Sequence, residues 1–136
     1  MLYSDKEGSG LASLTKRRVD HFGIDFLHQE NVEVTTLDKW ASINGFEPQL
    51  LKIDVEGHEL DVLKGSIQTL TKLEVVQFEF GGSNIDSRTY FQDFWYFFNN
   101  LNFSIFRIAG SSLIPILGYK EQDETFRTTN YLAVRK

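Results

Sequence analysis

The hydrophobic pattern changes period several times along the chain, and each change predicts an element. Residues 31–37 alternate, with Val32, Val34 and Thr36 set against Glu33 and Thr35, which predicts a half-exposed strand. Asp38 then reads as the N-cap of a short helix, Lys39 to Ile43, stopped by Asn44-Gly45. The compact apolar run Gln49 to Val55 suits a buried parallel strand. From Glu59 to Leu70 the spacing of Leu60, Leu63, Ile67 and Leu70 predicts one helix, with Gly65 inside it at a cost of ~1 kcal/mol relative to Ala. Leu73 to Phe80 is a second apolar strand, broken by Gly81-Gly82-Ser83-Asn84. Thr89 to Leu101 predicts an aromatic helix, Phe103 to Ile108 a third strand and Tyr131 to Val134 a fourth. Between the last two, Gly110 to Thr129 reads either as a loop or as a pair of short strands. At the start, Met1-Leu2-Tyr3 resembles a strand end. The Gly-rich turn Ser4 to Gly10 follows, and then a short segment ends in Lys16-Arg17-Arg18, a cluster suited to solvent or to an anionic partner.

Strands alternating with helix-length segments predict a layered α/β sheet, mostly parallel, centred on residues 50–55 and 73–80 and covered by helices on both faces. The final strand follows a loop rather than a crossover helix, so it is expected to run antiparallel. At 136 residues the chain fits one domain, and 41% hydrophobic with 14% aromatic residues is enough for a real core. The 14 basic residues against 19 acidic ones leave a net charge of −5, which argues against nucleic acid as a partner. Without cysteine there is no disulfide scaffold, thiolate metal site or thiol nucleophile. No apolar stretch is long enough for a membrane span and no signal pattern opens the chain, so the expected compartment is the cytoplasm.

The candidate chemistry lies in residues 51–59. Period two puts Lys52, Asp54 and Glu56 on one strand face, opposite Leu51, Ile53 and Val55. Three charges in a row there must be paired or functional. One reading is a Lys–Asp pair with Glu56 near a helix N-terminus. The other is a site at the strand's carboxyl end, where open α/β sheets bind ligands. Asp54, Glu56, His58 and Glu59 also invite a metal reading, but a strand-to-helix corner points them apart and no second ligand cluster is evident. No metal is therefore expected.

The run from Lys52 through Ile53-Asp54-Val55-Glu56-Gly57-His58-Glu59 to Gly65 resembles the signature of the FkbM-family methyltransferases, S-adenosylmethionine-dependent enzymes of the Rossmann-like class. Ser4 to Gly8 with Ala12-Ser13-Leu14, then Val34 to Asp38, and Val75 to Phe80 are similar to further family segments in the same order. The resemblance implies O-methylation of a small hydroxylated acceptor or sugar, with S-adenosylmethionine as donor. It implies that Asp5, with Ser4 beside it, approaches the adenine amino group, and that Lys52, Asp54 and Glu56 line the cleft. Asp54 or Glu56 would then be the base and His58 the alternate, with Lys52 holding a carboxylate ionised. Glu79, at the end of the neighbouring strand, would face the acceptor.

The chain departs from that pattern in one respect: the family's Asp-x-Gly-x-x-x-Gly-type loop and its acidic ribose clamp are not in this sequence. The expectation is a partial methyltransferase domain over residues 1–136, truncated at its N-terminus, that binds the cofactor weakly and pairs with a second copy through an exposed sheet edge. The competing class is a non-catalytic α/β module, partner-bound or dimerised.

Overall fold

The computed structural model describes residues 1–136. Two short strands, β1 (Leu2–Ser4) and β2 (His28–Glu30), form an antiparallel ribbon apart from the main sheet. The main elements follow: α1 (Leu37–Asn44), β3 (Leu50–Ile53), α2 (Glu59–Lys64), α3 (Ile67–Leu70), β4 (Val75–Phe80), α4 (Ser83–Ser87), α5 (Phe91–Asn100), β5 (Phe103–Ala109), β6 (Ser112–Ile116) and β7 (Thr129–Arg135). The five-stranded sheet has the order β3-β4-β7-β5-β6. No helix is long and apolar enough to cross a membrane.

The architecture is mixed α/β, but the sheet is not mostly parallel. β3 and β4 pair in parallel, whereas β4–β7, β7–β5 and β5–β6 are all antiparallel. β7 runs antiparallel to both neighbours, as expected of the final strand. It also lies between β4 and β5, and that placement separates two strands that would otherwise pair in parallel. Residues 50–53 correspondingly stand at the edge of the sheet rather than at its centre. The Gly110–Thr129 connection contains β6, a hairpin partner of β5, and a 3-10 turn at Glu121–Asp123.

Helices cover one face only, which corrects the expectation of two covered faces. On that face Ile53, Val76, Phe78, Phe80, Ile105, Tyr131 and Ala133 meet Leu63 and Leu70 from α2 and α3, and Phe91, Phe94 and Phe98 from α5. Phe78 stacks on Phe94 with centroids 5.1 Å apart and planes 9° from parallel, and on Tyr131 at 5.4 Å. Each fully buried aromatic stabilises the fold by about 1.5–3 kcal/mol. The opposite face carries Leu50, Val75 and Val134, then Lys52, Gln77, Leu132 and Phe106, then Glu79 and Asn130. None of these is fully buried.

Local chemistry moves several boundaries. Residues 31–36 form no strand, and β2 lies just before them. Their alternation earns no ladder because no strand lies beside them. Thr36, not Asp38, caps α1, accepting from the Lys39 N–H at 3.2 Å. Asp38 instead caps α3 across space, accepting from the Gln68 N–H at 2.9 Å and from the Thr69 N–H and hydroxyl at 2.7 Å each. The predicted 59–70 helix is two helices, with Gly65 as the C-cap of α2 and packed against Thr36. Gly45 ends α1 in the left-handed conformation at φ 60°, as expected of a C-terminal glycine.

Candidate active site

The turn after β3 is the most constrained backbone near the predicted chemistry. Glu56 has φ 53° and Gly57 φ 101°, and a Cβ on Gly57 would lie 2.8 Å from the Ser83 carbonyl oxygen. Only glycine fits at position 57 without displacing α4. A left-handed Glu56, unusual for a side chain of that size, requires support. Glu59 provides it from below. Its carboxylate is almost fully buried and accepts from the Val55 N–H and the Gly57 N–H at 3.1 Å. Ser13 provides it from above, donating its hydroxyl to the Glu56 carbonyl at 2.8 Å.

This turn brings three predicted site residues together. The β3–β4 register pairs Ile53 with Phe78, so the next position sets Asp54 beside Glu79. Asp54, Glu56 and Glu79 offer carboxylate oxygens that all lie within 4.8 Å of one another. Lys52 lies 3.5 Å from Asp54, and both are about half exposed. Arg17 donates to Glu56 at 2.6 Å, with side-chain exposures of 12% and 18%. Its Nε is 3.7 Å from Asp86. Burial pushes the Glu56 carboxyl above its usual value, with Arg17 opposing that rise and Asp54 and Glu59 adding to it. Burial likewise raises Glu79, reinforced by Asp54, Glu56 and Glu59 and opposed only by Lys52. A carboxyl raised by partial burial among like charges is suited to proton transfer. The spacing is also short enough for one hard cation, but two of the three carboxylates already have a cationic side chain as partner, and acidic grouping by itself assigns no metal.

The remaining predicted residues stand elsewhere. His58 turns away from the cluster: its Nε2 meets the Thr15 hydroxyl at 3.0 Å and its Nδ1 the Asp61 carboxylate at 2.9 Å. Glu59 is a structural carboxylate whose oxygens are taken up by backbone amides. Ser4 is buried at the end of β1. Asp5 follows it, held below the usual carboxylate range chiefly by the Ser9 hydroxyl, with its Oδ1 shut from solvent and without a hydrogen-bond partner. The β1 segment joins the site through the Tyr3–Ser13 bridge and thence through Ser13 to Glu56.

A groove of about 720 Å³ opens beside Asp54, bounded by Leu14, Val34, Trp40, Val55 and Val62, with His58 and Asp61 at its polar side. Sequence reasoning missed Ser13 and Arg17 as parts of the site, and it raised Glu59 only as a candidate metal ligand, not as the buried support of the turn. The one signal for Arg17 was its basic cluster, which was suited to an anionic partner. That partner is Glu56 of the same chain.

Comparison with known proteins adds one finding. The family model described as the methyltransferase FkbM domain matches residues 2–105. Searches of curated proteins and of solved structures return no match. The matched span contains β3 and β4, the Glu56–Gly57 turn and every residue of the carboxylate cluster, so the chain belongs to the FkbM methyltransferase family.

Proposed function

We propose that this chain is a methyltransferase of the Rossmann-like class that uses S-adenosylmethionine to methylate a hydroxyl oxygen of a small molecule or sugar in the cytoplasm. One observation carries the reading: Asp54, Glu56 and Glu79 converge at the carboxyl ends of two adjacent parallel strands, and Asp54 also lines an open groove. Ligands bind at that end of open α/β sheets. Transfer to an oxygen needs a group that takes the hydroxyl proton, and a carboxylate within hydrogen-bond reach supplies it, with a contribution of roughly 10²–10⁴-fold. Lys52 contacts Asp54 at 3.5 Å and holds its carboxylate where it can orient the acceptor.

The residues present fit the donor at one point. Asp5 Oδ1 is a shielded acceptor without a partner, next to buried Ser4, and an exocyclic amino group would satisfy it. When bound, the donor supplies a methyl group on a sulfonium, ready for attack by a nucleophilic oxygen. The chain's own part is to hold the acceptor oxygen in the groove and to remove its proton.

Asp54→Asn tests this reading. With labelled S-adenosylmethionine and a panel of hydroxylated acceptors, the variant is expected to lose about 10²-fold or more in transfer rate. Its thermal midpoint should stay close to the parent's, because Asp54 is exposed. Unchanged turnover, or loss of the fold, would remove Asp54 from the chemistry. A second reading, a dimerising module without catalysis, draws on the outer edge of β3, where Leu50 is 58% exposed. Sedimentation showing a stable dimer, together with no transfer to any acceptor, would favour it.

A further inference from the structure

We propose that Glu79 is the residue that takes the acceptor's proton, and that Arg17 is the positioning residue that leaves this role to Glu79 by occupying Glu56. The inference deepens the methyl-transfer reading and rests on it. It comes from counting charges around the cluster. Three carboxylates meet, and two cationic side chains reach them: Lys52 at 3.5 Å from Asp54 and Arg17 at 2.6 Å from Glu56. The Glu79 side chain has neither an ion pair nor a hydrogen bond. It faces Lys52 and Asp54 from β3 and its end, Glu56 from the turn and Glu59 from α2. Its cross-strand neighbour on β7 is the neutral Asn130, already bonded to Gln77 at 2.9 Å.

A carboxylate with lone pairs free and like charges around it binds a proton more readily than one that accepts a hydrogen bond from a guanidinium. In the proposed step, the hydroxyl proton passes to a Glu79 oxygen while the acceptor oxygen bonds to the methyl carbon. The methyl–sulfur bond breaks, leaving its electron pair on sulfur. Arg17 touches neither reactant. It acts through Glu56, and it reaches the site from a segment 39 residues away in sequence.

The three carboxyls interact, so they are read together, by carbon NMR titration of the 136-residue chain labelled at its Asp and Glu carboxyls. The expected order has Glu79 titrating highest and Glu56 below it. Arg17→Gln should raise Glu56 by about one to three pH units, bringing it level with Glu79 or above it, and Arg17→Lys should restore the parent order. If Arg17→Gln does not fold, Glu79→Gln keeps the test open, since removing that neighbouring negative charge should lower Glu56, and an unmoved Glu56 would overturn the proposal. Parent Glu56 titrating at or above Glu79, or a Glu56 indifferent to Arg17→Gln, would overturn the proposal. In the transfer assay the acid limb of kcat should coincide with the Glu79 midpoint, and a limb that follows Glu56 would overturn it as well. A chain whose carboxyls titrate in the expected order yet methylates no hydroxyl would overturn the methyl-transfer reading instead.

Discussion

The two faces of β4 divide the work of the molecule. Val76, Phe78 and Phe80 point into an aromatic cluster with no solvent exposure, whereas Val75, Gln77 and Glu79 alternate with them on a face where nothing is fully buried. One strand thus anchors the fold on one side and presents a partly desolvated carboxylate on the other. Packing on the aromatic face is non-directional and dense, so a change there is read as stability. On the open face, charges stand where their solvation is incomplete and their neighbours are of like sign, so a change there is read first in their titration. The site tolerates three close carboxylates because the opposite face supplies the stability that they do not.

The largest expected effect tests the aromatic side. Phe78→Ala removes a ring that stacks on Phe94 and Tyr131 and packs tilted against Phe98, and is expected to cost about 3–5 kcal/mol in urea unfolding. A loss below about 1 kcal/mol would mean that the cluster collapses around the gap and that the contrast between the faces is overstated. Gly57→Ala comes next and probes the junction between the two regions. Its positive φ and the 2.8 Å approach to Ser83 predict a loss of about 1–3 kcal/mol, together with a shift of the Ser83 amide in an NMR spectrum. Asp38→Ala, remote from both faces, should cost about 0.5–2 kcal/mol by uncapping α3.

The smallest effect is the dependence of stability on pH, and it separates the regions by sign. Glu56 and Glu79 lie above the ordinary 4.5, chiefly through burial. The folded chain therefore holds their protons more tightly than the unfolded one does. Their contribution is complete below that ordinary value and is lost as pH rises through the raised one. Asp38 behaves in the opposite way. Burial pushes it up, but the Thr69 hydroxyl and the Thr69 and Gln68 amides outweigh burial and hold it below 3.8. Its contribution is present above 3.8 and is lost as pH falls through the lower folded value. Relative to the parent, Glu79→Gln should therefore gain stability as pH rises from about 4.5 toward neutrality. Asp38→Asn should approach the parent only in stronger acid. Parallel curves for parent and Glu79→Gln over that window would show that Glu79 is not desolvated.

Several features of the site were legible in the sequence. The run from Lys52 to Gly65 located the turn, its family and the carboxylates Asp54 and Glu56. The family resemblance set Glu79 at the end of the neighbouring strand, and the structure brings it beside Asp54 and Glu56. Gly45 marked a helix end correctly. Other readings failed for a common reason. The 31–37 alternation satisfied a strand pattern but found no neighbouring strand to pair with. Asp38 looked like a local cap, yet its carboxylate reached α3, 30 residues on. His58 was counted with the carboxylates, but the corner between β3 and α2 aims it at Thr15 and Asp61.

The sequence by itself determined which residues are apolar, where the chain turns and which short run resembles the family's signature. All of these depend on interactions within a few residues or on residue type alone. Only the tertiary structure decided that β7 lies between β4 and β5, that one face of the sheet stays open, and that Arg17 meets Glu56. Periodicity records that a side chain will be buried, but not which partner buries it. Strand neighbours and ion pairs between distant segments are settled by how the whole chain closes on its aromatic core, and that is where the charge balance of the carboxylate cluster is set.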